Sequence, residues 1–272
     1  MKYGRIMALV ISVTCIAVLI SSYASWKSRI NNVKTDKEII HYTQTGPVGK
    51  EDIVAPKKKE AIQLSRTTVE EALINADEQI QNLVLNRLDA EEKVQLLIVG
   101  SNAMESGAPG YATLLANALK DTYDNFIETT IAPFDGTSKQ FIDKNMAEID
   151  WEKEYDLILL EPFTLNNNGI VKIEDEQKHI KAFKEKAIEE VSDAVIVLQP
   201  SYPIYHANFY LVQIRALENF SATNAYPYIN HWNAWPDTTD SSLKSLLTED
   251  QSPNSEGAKV WASPLINYFT GK

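Results

Sequence analysis

Three short apolar runs constrain this chain more than any other feature: Val94-Gln95-Leu96-Leu97-Ile98-Val99, Asp156-Leu157-Ile158-Leu159-Leu160 and Ala194-Val195-Ile196-Val197-Leu198. Each is nearly continuous where a half-buried strand would alternate, which is the pattern of a strand covered on both faces. Helices are expected between them. The first spans about 68–89, where Thr67-Thr68-Val69-Glu70 fits a capping box and Val69, Leu73, Ala76, Ile80, Leu83, Val84 and Leu88 recur at helical spacing. Others are expected over 110–120, from Thr137 or Ser138 onward, and over 174–191, 206–219 and 257–269, with further strands near 125–132 and 226–229. Five strands alternating with helices imply an α/β chain: a five-stranded parallel sheet covered on both faces and joined by right-handed crossovers. In such sheets the ligand crevice lies beyond the carboxyl ends of the strands, so chemistry is sought in the residues that follow each strand.

Domain organisation follows from the N-terminus. Lys2 and Arg5 precede Ile6 to Trp26, a stretch without charge that is long enough to cross a bilayer as a helix. Its length favours an uncleaved anchor over a cleaved signal peptide, for which Ser22-Tyr23-Ala24 would be the processing site. Lys27, Arg29 and Lys34 weaken the positive-inside contrast, and a short basic tail inside with the large domain exported is the simpler topology. The chain is therefore divided into a transmembrane segment over 1–26, an extracytoplasmic stalk over 27–66 and a folded domain over 67–272. The stalk's Lys57-Lys58-Lys59 run suits either anionic lipid or plain solvation.

Charge and motifs exclude several classes. The whole chain carries a net charge of −11, yet residues 67–272 hold 15 basic and 32 acidic side chains, and a domain so acidic repels a phosphate backbone. Nucleic acid is set aside as a partner. The single cysteine, Cys15, lies inside the apolar N-terminal run, so neither an intramolecular disulfide nor a cysteine metal site is expected. No His-x-x-x-His spacing occurs, and Gly100 to Gly107 lacks both a dinucleotide fingerprint and a Walker lysine, so no metal and no cofactor is indicated.

The strand ends carry an unusual set of segments. They are Gly100-Ser101-Asn102-Ala103-Met104, Phe134-Asp135-Gly136-Thr137-Ser138, Glu161-Pro162-Phe163-Thr164-Leu165-Asn166-Asn167-Asn168-Gly169, and Glu249-Asp250-Gln251-Ser252-Pro253-Asn254 running to Gly257 and Trp261. In this order and spacing they resemble the SGNH/GDSL hydrolases, serine esterases on a flavodoxin-like three-layer α/β/α sheet, over about 94–272. Gln199 to Tyr205 and Tyr228 to Pro236 look like the membrane-anchored members of that family in Gram-positive bacteria. The resemblance implies that Gly136 and Asn166 are oxyanion donors and that Glu249 is the acid orienting the base. It also puts Asn102 at the nucleophilic serine, Ser101 at the aspartate before it, and Ser252 at the catalytic histidine.

Two of those positions depart from the chemistry. An amide does not form an acyl-enzyme, and a hydroxyl is not a general base near neutrality. Ser101, one position early, becomes a nucleophile if the turn shifts register, and Ser106 lies on the same segment. His206 and His231 fall near the active edge as candidate substitute bases, although a packed or capping role among Tyr205, Tyr210, Trp232 and Trp235 is the more ordinary one. His179 sits on a charged helix. Asn166 to Asn168 also suits a simple turn, and Trp232 and Trp235 suit either sugar stacking or the core. Two readings follow: an exported esterase or acyl-transfer enzyme acting on O-acylated cell-envelope polysaccharide, or a catalytically silent relative that binds envelope glycan or scaffolds its assembly.

Overall fold

The computed structural model describes residues 64–272; the expected membrane segment and nearly all of the stalk lie outside the described residues. Four parallel strands, β1 (Val94–Ser101), β2 (Ile127–Phe134), β3 (Leu157–Leu160) and β4 (Val195–Leu198), form one sheet in the order β2-β1-β3-β4. The register pairs Leu96 with Leu157 and Leu157 with Val195.

The apolar runs lack alternation because both sheet faces are covered. Leu96, Ile98, Leu157 and Leu159 pack into one core with α2 (Glu78–Asp89), α3 (Tyr111–Tyr123) and α8 (Ser255–Thr270). Leu97, Val99, Ile158 and Leu160 face the other core, closed by α6 (Ile173–Glu190) and α7 (Phe209–Thr223). Burying each such side chain stabilises the fold by roughly 1.5–3 kcal/mol.

The fifth expected strand is reduced to a parallel bridge between Leu198 and Tyr228. Pro227 accepts from the Leu198 N–H but has none of its own to give. Two residues past the bridge, the Asn230 side chain takes the Trp232 N–H at 3.2 Å and starts a 3₁₀ turn, His231–Ala234, so pairing stops.

The single helix expected over 68–89 is two, α1 (Arg66–Ala72) and α2, and the cap is Ser65, whose Oγ accepts from the Thr68 N–H at 3.1 Å. Thr67 is therefore inside the helix and the expected capping box is not formed. The break is held from a distance: Gln81 Nε2 donates to the Leu73 and Ala76 carbonyls, and the Tyr268 hydroxyl donates to Asp77 Oδ2 at 2.6 Å. The hydrophobic spacing hides the break because Leu73, Ala76 and Ile80 all stay buried in the same core.

Near the crevice, Thr137 caps the short α4 (Ser138–Gln140) with a capping box closed by Gln140. Thr164–Asn167 forms the single turn α5. Asn254 caps α8, its Oδ1 accepting from the Glu256 and Gly257 N–H groups at 3.0 Å each. A Cβ at position 257 would lie 2.1 Å from the Leu246 carbonyl oxygen, so the spacing of Asn254 and Gly257 has a packing reason. α7 starts at Phe209, three residues later than expected, because His206 takes a left-handed conformation, φ 57°, and sends its N–H to the Thr238 carbonyl at 2.8 Å.

Candidate functional site

At the end of β1 the chain divides its two polar residues between inside and outside. Ser101 is 3% exposed and its N–H donates to Glu161 Oε2 at 2.7 Å. Asn102, which opens the 3₁₀ turn Asn102–Glu105, is exposed. Glu161, 1% exposed at the end of β3, accepts through its other oxygen from the Ser201 hydroxyl. Gly100 makes room for it: a Cβ there would stand 2.8 Å from the Glu161 Cβ.

The turns after β2 and β3 are joined. Asn166 Nδ2 donates to the Gly136 carbonyl at 2.9 Å, so the two expected oxyanion positions are in direct contact. The next residue, Asn167, is fully buried: its Oδ1 accepts from the Ser138 N–H at 2.9 Å, and its Nδ2 donates to Glu176 Oε2 at 2.6 Å. Thr164 Oγ1 reaches Glu176 Oε1 at 3.1 Å. Burial pushes the Glu176 carboxyl up to about 7, against the Asn167 and Thr164 hydrogen bonds, with a smaller upward push from Glu161.

Ser138 Oγ lies 2.8 Å from His179 Nδ1, whose imidazole burial pushes down from its ordinary value. This is a nucleophile–base contact of the right length, but the cavity beside it, bounded by Phe141, Phe163 and Phe183, holds about 10 Å³. That admits no more than one water, so an acyl ester does not reach it in this conformation.

The histidine that follows the fifth expected strand is a core residue. His231 is fully buried, stacks on Trp261 at 4.9 Å, has Nε2 2.8 Å from the Pro200 carbonyl, and accepts the Trp235 indole N–H at Nδ1, 3.1 Å. With Nδ1 accepting, Nε2 carries the proton, and both nitrogens are committed. Burial pushes this imidazole down to about 3, so it stays neutral and has no free nitrogen for general-base work. Trp235 is buried with it, which corrects the sugar-stacking expectation for that ring. Trp232 is half-buried, its indole N–H donating to the Ser201 carbonyl at 2.6 Å, and keeps part of its surface open.

The remaining candidates are spread around the rim. His206 is exposed, its ring 3.8 Å from that of Tyr205. Ser252 is half-buried against the Tyr202 phenol, and its N–H donates to Thr248 Oγ1 at 3.2 Å. Glu249 is exposed and lines, with Tyr205, Lys244 and Gln251, an open hollow of about 440 Å³. Among the described residues no group of three or more His, Cys, Asp and Glu could hold a metal. Glu161, Asn167 and Glu176 escaped the sequence reading as individual site residues; the signals available were a carboxylate directly after an apolar strand and the three-residue spacing of Glu176 and His179 along one helix face.

No family model matches the sequence, and no curated protein matches it. Solved structures do. A GDSL-like protein from Parabacteroides merdae aligns with a TM-score of 0.53 at 13% identity, covering 66% of this chain and 96% of its own. A protein of the G-D-S-L lipolytic family from Desulfitobacterium hafniense aligns at 0.51 and 17%, covering 65% and 99%. An acetylxylan esterase from Geobacillus stearothermophilus aligns at 0.51 and 13%, covering 65% and 94%. Over about two thirds of the chain the fold is thereby similar to that of the G-D-S-L proteins, as the strand-end segments implied.

Proposed function

We propose that this chain is an SGNH/GDSL-type domain, held at the outer face of a membrane by its N-terminal segment, whose crevice binds O-acylated cell-envelope polysaccharide without serine-type turnover. The observation that carries this reading is the placement of Asn102, exposed where the nucleophile would stand, with Ser101 buried behind it and its N–H tied to Glu161. Acyl transfer needs an activated hydroxyl, a base to take its proton and donors aimed at the developing oxyanion. Asn102 offers amide donors and an acceptor at that place, but its nitrogen lone pair is delocalised into the carbonyl and does not attack an ester. Ser252 is no base, and His231 is sealed in the core with both nitrogens used. What remains is a crevice with an exposed amide, the joined Gly136 and Asn166 turns, and the open surface of Trp232, which together suit recognition of an acylated sugar.

Calorimetric titration of the full-length chain with O-acetylated envelope polysaccharide tests this. Trp232→Ala is expected to weaken binding about tenfold, from the loss of a stacking surface. Ser101→Ala should bind as the parent does. Equal affinity for the de-O-acetylated polymer, or indifference to Trp232, would count against the reading.

The likeness to an acetylxylan esterase favours a second reading, an esterase or acyl-transfer enzyme with Ser101 as nucleophile. It requires the end of β1 to turn outward and give up the Ser101 N–H bond to Glu161, with His206 at the rim as the base within the described residues.

A further inference from the structure

We propose that Glu176 is the positioning residue of this crevice: through the Asn167 side chain it fastens the turn carrying Asn166 to the turn carrying Gly136, and its ionisation sets how firmly the two are held. The consequence for ligand affinity rests on the binding role proposed above; the fastening stands on geometry alone.

The Asn167 amide is oriented by its neighbours. Its oxygen receives the Ser138 N–H at 2.9 Å and is 3.2 Å from the Ser138 hydroxyl, so its nitrogen must face Glu176, which it reaches at 2.6 Å. Ser138 lies two residues after Gly136 on the β2 turn, and Asn167 follows Asn166 on the β3 turn. One buried side chain therefore ties both turns to α6, while Asn166 itself bonds the Gly136 carbonyl. His179, one helical turn beyond Glu176 on α6, holds the same Ser138 hydroxyl at 2.8 Å. The two crevice turns are thus gripped from behind by a single helix face.

Glu176 is 5% exposed and, among the described residues, has no cationic partner. The groups facing it are Glu161 from the end of β3, Thr164 and Asn167 from α5, and the Tyr210 phenol from α7, which burial keeps neutral. On α6 itself, Asp175 is paired with Lys178, and the His179 imidazole is pushed toward its neutral form. Among the described residues the unpaired charge acting on it is therefore another carboxylate, Glu161. Ionised, Glu176 accepts from Asn167 and Thr164 in two charge-assisted bonds, which are roughly twice as strong as neutral ones. Protonated, it must turn one oxygen into a donor, Thr164 must reverse its hydroxyl, and the Asn167 bond loses its charge assistance. The crevice turns are then held less tightly.

The test uses the full-length chain, labelled with ¹⁵N at asparagine and solubilised in mild detergent, with side-chain amide resonances followed between pH 6 and 9. The Asn167 amide is expected to titrate with a midpoint near 7, where burial places Glu176, and the Asn166 amide to move with it. Both should be flat in Glu176→Gln and keep the same midpoint in His179→Gln. A flat Asn167 in the parent, an unchanged titration in Glu176→Gln, or an Asn166 amide indifferent to Asn167 would overturn the proposal. Affinity for O-acetylated polysaccharide is expected to rise about fivefold from pH 6 to 8.5 in the parent and not in Glu176→Gln, reflecting the stronger charge-assisted grip. If the amides titrate as described but the polymer binds at neither pH, the binding role fails and the fastening stands.

Discussion

Trp261→Ala is expected to destabilise the domain by about 4 kcal/mol, the usual cost of removing a fully buried indole. Trp261 has no exposed surface, stacks on Tyr111 with centroids 4.1 Å apart, and lies against His231 on another side. Its indole N–H donates to Gln199 Oε1 at 2.9 Å, and Gln199 Nε2 donates in turn to the Tyr111 hydroxyl at 3.0 Å. Truncation therefore opens a cavity and strands a buried amide oxygen. Trp261→Phe refills most of the volume and leaves mainly the lost hydrogen bond, for about 1–3 kcal/mol. Denaturant unfolding of both variants separates the two contributions. A loss below about 1 kcal/mol in the alanine variant would show that this aromatic stack is not what joins α3 and α8 to the end of the sheet.

The second large effect is opposed pH dependence. Glu176 is raised to about 7 in the fold, so its contribution to stability is fully present below its ordinary value and is lost as pH rises through 7. Glu176→Gln should therefore stabilise the domain at pH 8 by up to about 3 kcal/mol, with no gain below about pH 4.5. The glutamine can still accept from Asn167 and donate to Thr164. His231 has the reverse sign: held neutral and pushed down to about 3, it supports the fold above its ordinary value, and that support is lost as pH falls toward 3. Between about pH 4.5 and 6.5 the two nearly offset each other in the parent chain. In Glu176→Gln the offset is gone, so acid destabilisation should begin near pH 6.5. Thermal or denaturant unfolding across pH 4 to 9 reads both signs; parallel curves for parent and variant would remove Glu176 from the account.

β1, β3 and β4 are legible because both faces of each are covered, which leaves a nearly continuous apolar run; β2, an edge strand carrying Glu128, Thr129 and Thr130, is expected only from the alternation of strands with helices. The N-terminal helix pair is not legible, because its break at Leu73 to Asp77 depends on Tyr268, 191 residues away in sequence from the aspartate it holds. The last strand is shorter than its composition implies: Tyr226 to Ile229 has strand-forming residues, but Pro227 has no N–H with which to extend a ladder, and a single bridge forms. At the crevice, the segments around Gly136, Asn166 and Asn254 were legible from their order after the strands, and the structure joins the first two directly. The histidines were legible in part. His231 is expected as a substitute base or, more readily, as a packed residue, and tertiary packing makes it the latter by committing both ring nitrogens. His179 is read only as a member of a charged helix, yet it reaches a buried serine. A buried carboxylate such as Glu161 or Glu176 is a property of what packs around it, which no local pattern of residues records.

The most direct test of the central claim is covalent labelling of the full-length chain with a fluorophosphonate probe for activated serines, run beside hydrolysis of short-chain aryl acetates and beside Ser101→Ala and Ser138→Ala. No label on the folded chain and no hydrolysis above the uncatalysed rate are expected, because Asn102 stands at the nucleophile's position, Ser101 is buried and Ser138 is closed off. Stoichiometric labelling and turnover that vanish in Ser101→Ala would contradict that claim and establish a serine esterase with a shifted nucleophile; loss in Ser138→Ala instead would place the chemistry at the Ser138 and His179 pair.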